Sequence, residues 1–177
     1  TFPIPNTTSN ENANFLPGDY DGDGDTGLLI LTGGGYDNTL GRTAYWRNNG
    51  NMTFTDMSAS FGLPTNGTLA KGIGDFDQDG DLDLIAIANK QMPPVIYLNN
   101  GQGVFTLKPS AISGVGSSSL TYAAWGTAIT TDFDNDGIAD IITGTDSGAL
   151  SHVKVFDGSS SAEIRSFFAY GPSFTGG

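Results

Sequence analysis

Cysteine is absent from this 177-residue chain. That excludes disulfides, zinc–thiolate sites and thiol nucleophiles. Positive charge is scarce as well. Seven Lys and Arg stand against 19 Asp and Glu, with a single His and a formal net charge of −12. A chain with no basic face has nothing to offer a phosphate backbone, so a nucleic-acid binder is excluded. No apolar run approaches the roughly 20 residues that span a bilayer. No segment keeps a helical period, and no nucleophile elbow, P-loop, HExxH or dinucleotide fingerprint occurs. The first residue is Thr1, with no Met and no signal-like segment, which reads as a processed, trimmed or excerpted chain. The length suits one domain, or a piece of a larger protein, that hides roughly 70% of its unfolded surface.

What the chain has is aspartate and glycine, and the aspartate is not spread evenly. Of 17 Asp, 13 fall in three stretches, 19–25, 75–83 and 132–140. The rest of the chain carries four Asp, two Glu and seven basic residues, a near balance. Acidity this local repels itself unless something neutralises it. The three stretches read GDYDGDGDTGLLIL, GDFDQDGDLDLIAI and TDFDNDGIADIITG, and their first aspartates are 56 and 57 residues apart. A fixed period of this size indicates stacked supersecondary units. A second landmark recurs in phase: NNGNMTF at 48–54 and NNGQGVF at 99–105, with FDGSSSAEI at 156–164 in the third unit. Asn-Gly steps of this kind mark hairpin turns.

Each unit parses as four short strands. They are expected at 13–17, 27–32, 43–47 and 52–56, then 69–74, 83–88, 95–99 and 103–107, then 123–131, 138–143, 152–156 and 162–169. The runs LLIL, LIAIA and IITG are apolar on both faces, as in strands buried between stacked sheets. Four-stranded sheets repeated radially are the blades of a β-propeller. The fold class is therefore all-β: one propeller region over 1–177, with approximate blades 13–60, 69–110 and 122–170. A β-sandwich would leave the repeat unexplained.

The chemistry is in the aspartate loops. Numbered from the first Asp, the second loop has Asp75, Asp77 and Asp79 at positions 1, 3 and 5, Gly80 at 6, Asp81 at 7 and Asp83 at 9. The third has Asp132, Asp134, Asp136, Gly137, Ile138 and Asp140 in the same places. Alternate short carboxylates on a curled loop converge on one point, Gly at position 6 permits the sharp turn, and position 7 can give a backbone carbonyl whatever its side chain. Hard oxygen donors on a flexible loop favour Ca²⁺, with six to eight ligands, over the more demanding Mg²⁺. An EF-hand opens in the same way but needs a Glu at position 12 and flanking helices. Position 12 here is Ile30, Ala86 or Thr143, and the flanks are strands. The first loop has Asp19, Asp21, Asp23 and Gly24, yet Gly27 at position 9, with Asp25 at position 7 as a substitute ligand. Two well-formed calcium sites and one weaker one are expected.

The GDFDxDGxxD loop between two strands, followed by xNNGxGxF, resembles the FG-GAP/VCBS repeat family over nearly the whole chain. The third unit's HVKVFDGSSSAEIRSFFAYGPSFTGG is similar to a variant repeat of bacterial extracellular proteins, in which FTGG leads into the next blade. The resemblance implies β-propeller blades with calcium between a blade's first two strands, as in integrin α-subunit heads and propeller lectins. It implies calcium ligands at Asp75, Asp77, Asp79 and Asp83, at Asp132, Asp134, Asp136 and Asp140, and at Asp19, Asp21 and Asp23. It also implies an extracellular or cell-surface setting and an adhesion, lectin or accessory role. Glycan or protein binding without catalysis is expected, with a structural repeat of an extracellular fibre or a non-catalytic accessory module of a secreted enzyme as the alternatives. Three units are fewer than the usual four to eight blades. A piece of a longer array, a ring completed by subunits, and an open fibre assembled through exposed blade edges are the alternatives.

Other residues are weighed against packing. Tyr20, Phe76 and Phe133 all occupy position 2 of a loop, which reads as packing between blades. Tyr45, Trp46, Tyr122 and Trp125 are candidate ligand-stacking aromatics, with blade packing as the alternative. His152 has no partner recognisable in the sequence, and Gly33–Gly35 read as a loop with no helix to make a phosphate cradle. Asn6, Asn51 and Asn66 begin N-x-[ST] sequons that matter only in a glycosylating secretory system.

Overall fold

The protein is described from a computed structural model over residues 13–32, 42–63, 69–87, 95–108, 125–145 and 151–171. All its regular structure there is β. The first sheet holds β1 (Ala13–Gly18), β2 (Gly27–Thr32), β3 (Arg42–Asn48) and β4 (Phe54–Asp56). The second holds β5 (Leu69–Gly74), β6 (Asp83–Ile87), β7 (Val95–Asn99) and β8 (Phe105–Leu107). The third holds β9 (Trp125–Thr131), β10 (Asp140–Thr145), β11 (His152–Phe156) and β12 (Glu163–Phe168). Every sheet is an antiparallel meander in chain order, the form of a propeller blade. The twelve expected strands are all present. β4, β8 and β10 each start two residues later than expected, at Phe54, Phe105 and Asp140.

Register decides which side of a blade each residue serves. Leu28 pairs with Trp46, Leu84 with Tyr97 and Ile141 with Phe156. The next residues along, Leu29, Ile85 and Ile142, therefore point to the opposite face. Leu29, Leu31 and Tyr45 of the first blade pack with Leu84, Ala86, Tyr97 and Phe105 of the second. Ile85 and Ile96 of the second pack with Ile141 and Phe156 of the third. The core is thus two successive interblade layers, which is why the central strands are apolar on both faces. The inner strand β5 lies against both β1 and β9, so the units stack side by side.

Position 2 of each loop reports this stacking. Tyr20 and Phe76 are 1% and 0% exposed, each driven into the layer shared with the following blade. Phe133, in the third described blade, is 44% exposed. Ile129 and Phe167 of the same blade are exposed with it. Glycine sets the approach distance at both joints. A Cβ on Gly18 would fall 2.9 Å from Leu82 Cδ1, and one on Gly74 would fall 2.7 Å from the Ala139 Cβ. The matching residue in the third blade is Thr131.

Polar bonds also cross the joints. Asn99 Nδ2 donates to the Tyr20 carbonyl at 2.8 Å and to the Leu82 carbonyl at 3.2 Å. At the second joint, register puts Gly158 where the other blades have Asn48 and Asn99. A side chain there has no room, since its Cβ would fall 1.9 Å from the Ala139 carbonyl oxygen. Lys108 supplies the missing donor from the other blade. Its ammonium donates to the carbonyls of Phe76, Gly158 and Ser159 at 3.4, 3.3 and 3.3 Å.

Candidate metal centre

Each aspartate loop leaves one inner strand and returns into the next: β1 to β2, β5 to β6, β9 to β10. The loops share one internal wiring. The amide of the position 6 glycine donates to the position 1 carboxylate, at 3.0 Å for Gly24 to Asp19, 3.0 Å for Gly80 to Asp75 and 3.1 Å for Gly137 to Asp132. The position 7 amide donates to the position 5 carboxylate: Asp25 to Asp23 at 2.9 Å, Asp81 to Asp79 at 3.0 Å and Ile138 to Asp136 at 2.8 Å. Gly24, Gly80 and Gly137 have φ of 89°, 91° and 89°, the left-handed turn that glycine adopts without strain. Position 4 is left-handed too, at Gly22, Gln78 and Asn135. Sequence reasoning missed that second reversal, although Gly and Asn at this position are its signal.

This curl gathers carboxylates. Single oxygens of Asp19, Asp21 and Asp23 lie within 4.8 Å of one another, as do those of Asp75, Asp77 and Asp83 and those of Asp132, Asp134 and Asp136. The expected ligands Asp79 and Asp140 fall outside these closest groups. Both expected position 7 carboxylates lie against a hairpin turn. A Cβ on Gly50 would fall 2.5 Å from Asp25 Oδ2, and one on Gly101 would fall 2.5 Å from Asp81 Oδ2. Ile138 has no side-chain donor, and only its carbonyl can serve.

The position 9 carboxylates have a definite anchoring role. Asp83 is fully buried and accepts from the Phe76 amide and the Asn99 amide, both at 2.8 Å. Asp140, also buried, accepts from Phe133 at 2.8 Å and Gly158 at 3.1 Å. Each ties its loop to the turn after the blade's third strand. Burial pushes the Asp83 carboxyl up to about 6, against the opposing pull of those two amide donors. Asp21, Asp77, Asp81 and Asp134 are also held above the usual range, by desolvation first and by neighbouring carboxylates.

The donor set suits a hard divalent cation. Asp19 Oδ1 and Asp75 Oδ1 are buried and, among the described residues, have no hydrogen-bond partner. A buried, unpaired carboxylate oxygen is costly unless a cation or proton meets it. A model of the FG-GAP-like repeat matches residues 19–86 and again 75–143, each match running from one aspartate loop through the next. The chain belongs to the FG-GAP-like repeat family. The FG-GAP matches together cover more than half of it and begin on Asp19 and Asp75, the first aspartates of the loops. Neither curated proteins nor solved structures gave a match.

The FG-GAP blades place the candidate aromatics unevenly. Tyr45 and Trp46 belong to blade packing. Tyr45 is 1% exposed, edge-on to Tyr20 with centroids 5.6 Å apart, and Trp46 is buried with Ile30 and Ala44. Tyr122 lies outside the described residues, and Trp125 is placed only as the start of β9. His152 stacks on Phe168 at 4.6 Å and meets Ser166 Oγ at 2.7 Å, on the outer edge of the third blade and far in register from its loop. Asn51 is exposed in the first hairpin turn, and its side-chain oxygen accepts from the Thr53 amide at 3.1 Å. Asn6, Asn66 and Gly33–Gly35 lie outside the described residues. Among the described residues no helix is long and apolar enough to cross a membrane.

Proposed function

We propose that the protein is a calcium-binding β-propeller repeat region of a secreted or cell-surface protein. In this reading it binds glycan or protein partners without catalysis, and calcium is its structural staple. The observation that carries the reading is the gathering of three carboxylates in every loop, with buried, unpaired oxygens on Asp19 and Asp75. Metal would be held by Asp75, Asp77, Asp79 and Asp83, by Asp132, Asp134, Asp136 and Asp140 with the Ile138 carbonyl, and more weakly by Asp19, Asp21 and Asp23. Extracellular calcium modules bind at about 10⁻⁴–10⁻³ M. At about ten times Kd each filled site adds roughly 1.4 kcal/mol, a large share of a typical total of about 5–15 kcal/mol. In a cysteine-free chain that contribution takes the place of disulfides.

A second reading has its own support. The third blade exposes Ile129, Phe133 and Phe167 on the face that the other blades bury, which favours assembly with a further blade or another subunit over binding of a small ligand. Native mass spectrometry in calcium buffer with stepwise chelation tests both. A monomer carrying two or three calcium ions, and a melting temperature that falls on chelation, are the expected results. An open ladder of oligomers would put assembly first. Absence of bound calcium, or a melting temperature indifferent to chelator, would overturn the calcium reading.

A further inference from the structure

The three loops share their wiring but not their neighbours. Register carries one residue of each blade's third strand, or of the turn just after it, to a place beside loop position 9. The pairing of Leu28 with Trp46 sets Arg47 next to Gly27. The pairing of Leu84 with Tyr97 sets Leu98 next to Asp83. The pairing of Ile141 with Phe156 sets Asp157 next to Asp140. The same place therefore holds a cation, a neutral side chain and an anion in successive blades. The cation stands in the one loop that lacks a position 9 carboxylate. Arg47 reaches into that loop, with its Nε 3.9 Å from Asp21 Oδ2. Tyr45 fills the remaining space: a Cβ on Gly27 would fall 3.1 Å from its ring.

We propose that Arg47 is a specificity-determining residue of the first loop, an internal counter-charge that engages Asp21 and holds off divalent cations that the other two loops accept. A fixed positive charge beside a would-be calcium ion repels it, and its contact with Asp21 must be loosened before that carboxylate can ligate. The loss of the position 9 acid and the gain of Arg47 then make one exchange. Internal charge replaces the ion, and the first blade keeps its loop order at calcium levels that leave the site empty. This rests on the calcium reading above.

Gly24, Gly80 and Gly137 give each loop its own reporter, because each amide donates to its loop's first aspartate. Calcium titrations of the full chain followed by ¹H–¹⁵N spectra should show Gly80 and Gly137 shifting first and Gly24 only at roughly tenfold higher calcium. Arg47→Leu, the residue of the second blade, should lower the Gly24 midpoint by roughly tenfold and leave the other two in place. Arg47→Gln, which keeps the length and polarity of the side chain, should do the same if the leucine variant folds poorly. In the metal-free state both variants should melt below the parent chain, and the order should reverse in excess calcium. A Gly24 midpoint equal to the others in the parent chain, or unmoved in folded Arg47 variants, overturns the proposal. If none of the three amides responds to calcium, it is the calcium reading itself that has failed.

Discussion

At the residue scale, the acidic loops balance two opposed demands. Their carboxylates lie close enough to share one ion, and closeness raises the cost of ionising them. Asp83 shows both. Two amide donors stabilise its charge, yet burial dominates and pushes its carboxyl up to about 6 from an ordinary 3.8. Asp21, Asp77, Asp81 and Asp134 move the same way. A carboxyl whose pKa is higher folded than unfolded favours the folded state in its protonated form. That contribution is complete below about pH 4 and is lost as pH rises through about 6. The metal-free protein should therefore lose melting temperature between pH 4 and pH 7, while calcium-loaded protein should gain it as the ligands deprotonate. Asp157, held below the ordinary range by Ser159 and Ser160, works in the opposite sense and only softens the trend. Thermal scans of both forms across that range check the prediction. A metal-free melting temperature that rises steadily with pH would contradict it.

At the element scale, equivalent residues in successive blades have unequal worth. Phe76 fills the layer between the second and third blades, with Ile85, Ile96, Ile141 and Phe156 around it. Phe76→Ala should cost about 3–5 kcal/mol, the usual range for a buried aromatic truncated to Ala. Phe133→Ala, the same change in the third loop, should fall within about 0.5 kcal/mol because Phe133 is exposed. Urea unfolding of the two variants compares them directly, and equal losses would mean that the third face is covered in solution. The strands themselves were legible in the sequence. The period of the aspartate loops, the Asn-Gly turns and the doubly apolar runs located all twelve, because local chemistry dictates hairpins. The two faces of a blade were not legible, since apolar residues on both sides leave no alternation to read. That is why Tyr45 and Trp46 could be read as candidates for stacking on a ligand when they are packed within the blades.

At the scale of the whole molecule, the blades are joined by bonds that follow no repeat. Asn99 closes the first joint through the Tyr20 carbonyl and also donates to the Leu82 carbonyl of its own blade. Its counterpart Asn48 donates to the Thr26 carbonyl of its own blade, at 3.1 Å. Asn99→Ala leaves two carbonyls without their donor and should cost about 1–3 kcal/mol, whereas Asn48→Ala, at a more open site, should cost less. Equilibrium unfolding of both variants in calcium tests this, and an Asn48 loss equal to that of Asn99 would mean that the joint bond carries no special weight. At the second joint the Lys108 ammonium does the corresponding work on three carbonyls.

The sequence by itself determined the blades, the three loops and the hard oxygen character of their donors. These depend on residues close together in the chain: alternate aspartates on one curl, a glycine at its sharp turn, and Asn-Gly between paired strands. Only the tertiary structure decided which carboxylates are anchors, as Asp83 and Asp140 are, and which oxygens stay unpaired, as on Asp19 and Asp75. It alone set Arg47 beside the loop that lacks its last acid, Lys108 across a joint, and Phe133 in the open. The physical reason is register and stacking. Cross-strand pairing brings together residues about 20 apart, blade packing brings together residues about 50 apart, and neither distance leaves a mark in the local pattern.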